Sequence, residues 1–168
     1  MEKIFKVVEL GKIFFNGKMQ ITDPCYSTDV WCTDKVQIKQ GEYIAKAVIY
    51  DCGDWGKRVG ELMINHISCP KKKAGNTIYH SIGVDSGQCG FFDYDEYEKV
   101  HPKAFVDEDE ESEKWYNEVS KITLNGDECG LVGSMGVVSS SGYGDGCYNL
   151  YAGYNSKGEI VALRLRYI

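Results

Sequence analysis

The run from Ser139 to Tyr154 limits the fold more than any other stretch of this chain. Three hydroxyl residues, Ser139, Ser140 and Ser141, lead into a loop with glycine at every second position, Gly142, Gly144 and Gly146, around one carboxylate, Asp145. An alternating stretch follows at once, with Tyr148, Leu150 and Ala152 on one parity and Asn149, Tyr151 and Gly153 on the other. A period of two is the signature of a strand. Glycine at this density admits backbone conformations closed to other residues and allows close approach to a neighbouring chain segment. Together these features predict a rigid loop pinned to the rim of a β structure. Thr22-Asp23-Pro24-Cys25-Tyr26 and Gly83-Val84-Asp85-Ser86-Gly87 carry a similar mixture and are read as partners of that loop.

The rest of the chain fits such a body. Its 168 residues suit one domain spanning 1–168, and the 43% hydrophobic and 26% charged fractions are those of a globular protein with a core. Nineteen glycines against three prolines, with twelve tyrosines, favour aromatic strands separated by glycine turns. The formal charge of −6 disfavours a broad contact with a nucleic-acid backbone, which asks for a basic face. Seven cysteines, an odd number with no C-x-x-C pair, read as free thiols in a reducing cytoplasm. The first residues do not read as an apolar signal segment and no apolar run reaches membrane length, so no membrane association is expected.

Taken in order, Ile4 to Leu10 is strand-like, and Lys12–Phe15 and Lys18–Ile21 flank Asn16-Gly17, a dipeptide suited to a two-residue hairpin turn. Trp31 is an anchor candidate within an irregular segment, followed by a short strand at Val36–Ile38. From Gly41 to Tyr50 both parities are largely apolar, the mark of a strand that is central or covered on both sides. A turn at Asp51–Gly56 precedes a strand at Arg58–Ile67, bulged near Gly60. Lys71-Lys72-Lys73 lies in a polar connection and reads as a solvated loop. Further strands are expected at Thr77–Val84 and Gln88–Phe92, then a short helix within Asp93–Val100. Asp107 to Lys121 is the main helix, with Asp107 as N-cap, Glu110 at the capping-box position, and Trp115 and Val119 on one apolar seam. Asn125-Gly126 suggests a hairpin after Lys121–Leu124, and Leu131–Val138 a curved strand or close-packed buried segment. Asn155–Gly158 closes a final hairpin whose last strand places Val161, Leu163 and Leu165 on the apolar face and Arg164 and Arg166 on the other. The fold expected is mainly β, with α+β as the variant: an antiparallel β-sandwich or open barrel with one main covering helix.

Chemistry would gather at a polar centre drawn from Asp23, Cys25, Tyr26, Asp85, Ser86, Tyr143, Asp145 and Tyr148, with Cys147 beside it. Glycine loops offer backbone donors, carboxylates accept from a polar ligand, and tyrosines stack or hydrogen-bond. The same carboxylates could equally serve their own turns. A cysteine hydrolase at Cys25 would need a base, and His66, His80 and His101 form no local triad with it. The loop around Asp145 is neither a calcium loop nor a phosphate-binding glycine loop: Tyr143 stands where a carboxylate would, and no lysine follows. Neither metal nor cofactor is assigned.

At Asp23-Pro24-Cys25-Tyr26, Gly83-Val84-Asp85-Ser86-Gly87 with Phe91-Phe92-Asp93, and Ser141-Gly142-Tyr143-Gly144-Asp145-Gly146-Cys147-Tyr148, the chain resembles an uncharacterised family of small β-rich proteins associated with bacteria and phages. Tyr151-Ala152-Gly153-Tyr154 with Gly158 is similar to that family's closing hairpin. The resemblance implies one domain, and the acidic stretch at residues 107–111 as an insertion peculiar to this branch. It implies no catalytic mechanism. The reading it leaves first is a cytoplasmic binding or modulatory protein that contacts a protein partner in bacterial or phage competition. A small hydrolase using the carboxylates or Cys25, and a domain that binds a small polar metabolite, are the alternatives.

Overall fold

The structure is a computed structural model and describes residues 2–100 and 110–168. Eleven strands among these residues form two antiparallel sheets. The larger takes β1 (Lys3–Phe15), β4 (Gly41–Asp51), β5 (Lys57–His66), β11 (Ile160–Arg166), β10 (Gly146–Tyr154) and β6 (Ile78–Val84), side by side in that order. The smaller takes β3 (Asp34–Gln37), β2 (Lys18–Thr22), β7 (Gln88–Asp93), β9 (Gly136–Ser140) and β8 (Cys129–Val132). Helix α1 spans Tyr94–Val100, and α2 spans Glu110–Thr123. This is the expected sandwich with its covering helix.

Alternation decides which side chains enter the core. Tyr43, Ala45, Ala47 and Ile49 of β4 point inward and are buried, as do Leu62 and Ile64 of β5 and Leu163 and Leu165 of β11. They meet Met19, Ile21, Phe91 and Val137 from the smaller sheet in one continuous cluster. A second cluster lies on the far side of that sheet, where Trp115 and Val119 of α2 and Tyr97 of α1 pack on Phe92, Val132 and Val138. Strand β7 is therefore buried at all six positions: Cys89 and Phe91 serve the main core, and Phe92 serves the helices. The bulge at Gly60 is present, since Val48 pairs with Glu61 and Ile49 with Val59. A Cβ on Gly60 would stand 2.3 Å from the Tyr50 ring.

Several local expectations are corrected. Asn16-Gly17 does not close a hairpin: β1 pairs with β4, whereas β2 pairs with β3 and β7, so the chain changes sheets there. The two strands expected before it are one, β1, with register shifts near Ile4/Lys6 and Glu9/Gly11. Trp31 anchors nothing and is 87% exposed. Lys121–Thr123 completes α2, and Asn125-Gly126 turns that helix into β8. Leu131–Val138 is a hairpin, folded at Gly133 (φ 51°) between β8 and β9. The proposed N-cap Asp107 lies outside the described residues. Helix α1 is capped by Asp93, whose Oδ1 accepts from the Asp95 and Glu96 amides at 3.1 and 3.3 Å. Its Oδ2 accepts from the Asn16 amide at 2.8 Å, tying the helix to the passage between sheets.

Candidate functional site

The three glycine-and-aspartate segments meet. Two of them are passages between the sheets: Asp85–Gly87 carries the chain from β6 to β7, and Ser141–Asp145 carries it from β9 to β10. The third ends β2. The Asp23 carboxylate is 0% exposed and accepts four hydrogen bonds. Oδ1 takes the Cys25 amide (2.8 Å) and the Ser86 hydroxyl (2.7 Å), and Oδ2 takes the Asp85 and Ser86 amides (2.8 and 2.7 Å). The Ser141 amide donates to Gly87 O at 3.0 Å, and Gly146 pairs with Val84, which closes the corner from the third side.

Sequence chemistry explains each piece. Pro24 ends pairing along β2 because it has no N–H to donate. Gly87 and Gly142 hold positive φ, 68° and 57°, where a side chain would be strained. Ser141 donates its hydroxyl to Gly144 O at 2.7 Å, and the Tyr148 hydroxyl donates to Gly144 O at 2.7 Å and Ser141 O at 3.0 Å. The loop is thus fastened to the first turn of its own following strand. Tyr148 packs edge-on against Tyr167, with ring centroids 5.1 Å apart.

The helices grip the same corner from behind. Trp115 Nε1 donates to Pro24 O at 2.8 Å. The Tyr97 hydroxyl hydrogen-bonds Tyr26 O and lies 3.4 Å from Asp23 O. Sequence reading placed Trp115 on an apolar seam and missed its polar role, because the carbonyl it serves lies 91 residues away along the chain. Ser141 and Tyr97 were likewise missed as fastenings.

Of the eight candidates, Asp23, Ser86 and Tyr148 are spent on holding the corner together. Cys25 is half-buried, and its thiol is pushed up to about 11, chiefly by burial and then by the negative charges of Asp23 and Asp85. Tyr26 is pushed up to about 12, again by burial first and then by Asp85, Cys32, Asp23 and Asp145. The charges of Asp85 and Asp145 thus both act on this one phenol. Both carboxylates are exposed. Tyr143, 50% exposed, turns elsewhere: its hydroxyl is 3.3 Å from Glu2 Oε1 and its ring 6.1 Å from that of Trp55. It does not share the group around Tyr26.

Neither described histidine is a hydrogen-bond partner of Cys25. His66 engages Ser68 Oγ at 2.7 Å and Gln40 O at 3.2 Å through its two ring nitrogens. His80 lies on β6, where it acts on Asp34, and His101 is outside the described residues. Among the described residues no group of three or more His, Cys, Asp or Glu side chains could hold a metal ion, and no helix is long and apolar enough to cross a membrane. All seven cysteines are unpaired.

Fold and corner together define a β-sandwich domain without a catalytic constellation among the described residues. The chain belongs to the family described as "Protein of unknown function (DUF4241)", which matches residues 14–165 and so takes in both sheets and all three corner segments. No curated protein and no solved structure matches it.

Proposed function

We propose that this domain is a non-catalytic recognition protein, and that its contact surface is the rim bearing Tyr26, Asp85 and Asp145. The supporting observation is the division of labour at the corner. The buried carboxylate of Asp23 and the landmark hydroxyls are consumed in fixing the loops, while the carboxylates at the loop tips stand free in solvent. A rigid scaffold that displays two carboxylates beside a phenol suits a basic surface on a protein partner. Such charge complementarity raises association rate and selects partners. The setting suggested by the resemblance, competition involving bacteria and phages, belongs to this reading. Hydrolysis by Cys25 has less support, because a thiol held near 11 supplies almost no thiolate at neutral pH.

The test is affinity capture from an extract of the native host, with the wild-type chain compared with the Asp85→Asn/Asp145→Asn pair. The expected result is a partner retained by the wild type, released by moderate salt, and lost from the variant, whose melting temperature is unchanged. A protein that stays monomeric and unaccompanied in native mass measurements, or a variant that holds its partner as tightly, overturns the reading.

A further inference from the structure

The outer face of the larger sheet carries a second feature, away from the corner. The connection between β5 and β6 folds back across that face and is fastened there. The Gly75 amide donates to Ala152 O at 2.8 Å, and Asn65 Nδ2 donates to Lys72 O at 2.5 Å. Lys73 O lies so close to β10 that a Cβ on Gly153 would stand 2.6 Å from it. Between this strap and the strands is a cavity of about 540 Å³. That volume falls within the range of small-molecule pockets.

The lining is one-sided in charge. Lys71, Lys72, Lys73 and Arg164 contribute cations, and no carboxylate lines the cavity. None of the four makes an ion pair among the described residues. This concentration of positive charge occurs on a chain with a net charge of −6. Arg164 sits opposite Tyr151 in the β10–β11 register, with Cζ 4.6 Å from the centre of the tyrosine ring. Stacking on a ring face holds the planar guanidinium fork in place. Its Nε is buried and has no hydrogen-bond partner among the described residues. An arginine is always charged, so its fork brings a permanent positive charge to the cavity wall.

We propose that this cavity binds a small organic phosphate. Phosphate oxygens match the guanidinium fork and can be shared by the three lysines. Met63, Ala162 and Pro70 supply an apolar wall for the uncharged part of the ligand. The lysines are positioned for this by a strap pinned at Asn65, Ala152 and Gly153.

The test is calorimetric titration and thermal melting of the whole chain at low ionic strength. The probes are inorganic pyrophosphate, AMP, adenosine and citrate. Pyrophosphate and AMP should bind and raise the melting temperature, whereas adenosine should do neither and citrate should bind more weakly. The K71S/K72S/K73S variant should melt like the wild type without ligand and weaken AMP binding by at least about tenfold, about 1.4 kcal/mol. Arg164→Met should melt close to the wild type, because Arg164 makes no ion pair among the described residues, and should lose the shift produced by pyrophosphate. Failure of both phosphate probes to bind in the low-millimolar range overturns the proposal. So does citrate binding as tightly as AMP, or undiminished binding by both variants.

Discussion

The buried carboxylate of Asp23 receives both the backbone amide and the side-chain hydroxyl of Ser86, 63 residues further along the chain. With the amides of Cys25 and Asp85 this makes four donors on two oxygens, so the end of β2 and the passage from β6 to β7 are one unit. Asp23→Asn replaces one acceptor oxygen with an NH2 group that confronts amide donors. The expected loss is about 3 kcal/mol, the scale of a charge-assisted hydrogen bond lost together with a donor left unsatisfied. Asp85→Asn, at an exposed position, should change stability by less than about 0.5 kcal/mol. Urea unfolding of the two variants checks both values. Equal, small effects would show that the Asp23 cluster does not secure the corner.

Gly83 is required for a reason other than its dihedral angles. Its amide donates to Cys32 O at 2.8 Å, and a Cβ added there would lie 2.7 Å from the Cys32 Cβ. Gly83→Ala forces the segment after Tyr26 away from β6, with an expected cost of about 1–3 kcal/mol. Gly158→Ala provides the contrast. Its φ is 78° and nothing lies within 4 Å, so its cost is conformational strain alone. Substituting Cys32→Gly in the Gly83→Ala background should restore part of the loss only for Gly83, and a double-mutant cycle measures that coupling.

The corners were legible because their residues are conspicuous in chain order. Glycine, aspartate and proline act locally, and Asp23-Pro24, Asp85-Ser86-Gly87 and Gly142–Gly146 each declare a turn. The sheet that follows a turn was not legible. Asn16-Gly17 has the chemistry of a hairpin, yet β1 and β2 join different sheets, because partners are chosen by which apolar face meets the common core. Ile122 and Thr123 have strand-like propensity but remain helical, since Ile122 packs on the second cluster and Thr123 donates to Gln88 Oε1 at 2.7 Å. The exposed Trp31 shows the converse: size and hydrophobicity alone do not assign a residue to the core. Lys71-Lys72-Lys73 was recognisable as a loop, but Arg164 beside it depends on a return of the chain that no local pattern contains.

Trp115 serves two purposes that substitution can separate. Its ring packs against Phe92 and Tyr97, with centroids 5.8 and 5.9 Å away, and its N–H satisfies Pro24 O. Trp115→Phe keeps an aromatic ring and removes the donor, with an expected cost of about 1–2 kcal/mol from a buried carbonyl left unpaired. Trp115→Ala also empties the site and should cost about 3–5 kcal/mol. Amide exchange at Cys25 and Tyr26 distinguishes the two purposes. Trp115→Phe should loosen these amides more than its global loss of stability accounts for, because the carbonyl beside them has lost its tether.

The Cys25 thiol links the corner to alkaline pH. Burial and the neighbouring carboxylates raise it from an ordinary value of about 9 to about 11 in the folded chain. Below pH 9 the thiol is protonated in both folded and unfolded chains and contributes no pH dependence. Between about 9 and 11 the unfolded chain releases this proton while the folded chain retains it, so stability falls as pH rises through that window. Tyr26, raised to about 12, extends the loss to higher pH in the same direction. Cys25→Ala should therefore flatten the decline of unfolding free energy between pH 9 and 11 while leaving the slope from pH 6 to 8 unchanged. The same protonation protects the thiol: at pH 8 a group with a pKa near 11 is about one part in a thousand thiolate. Iodoacetamide should modify the exposed Cys147 well before Cys25, and peptide mass mapping over time orders the two. Rapid labelling of Cys25 at pH 8 would mean that the thiol is ionised, and would reopen nucleophilic chemistry at the corner.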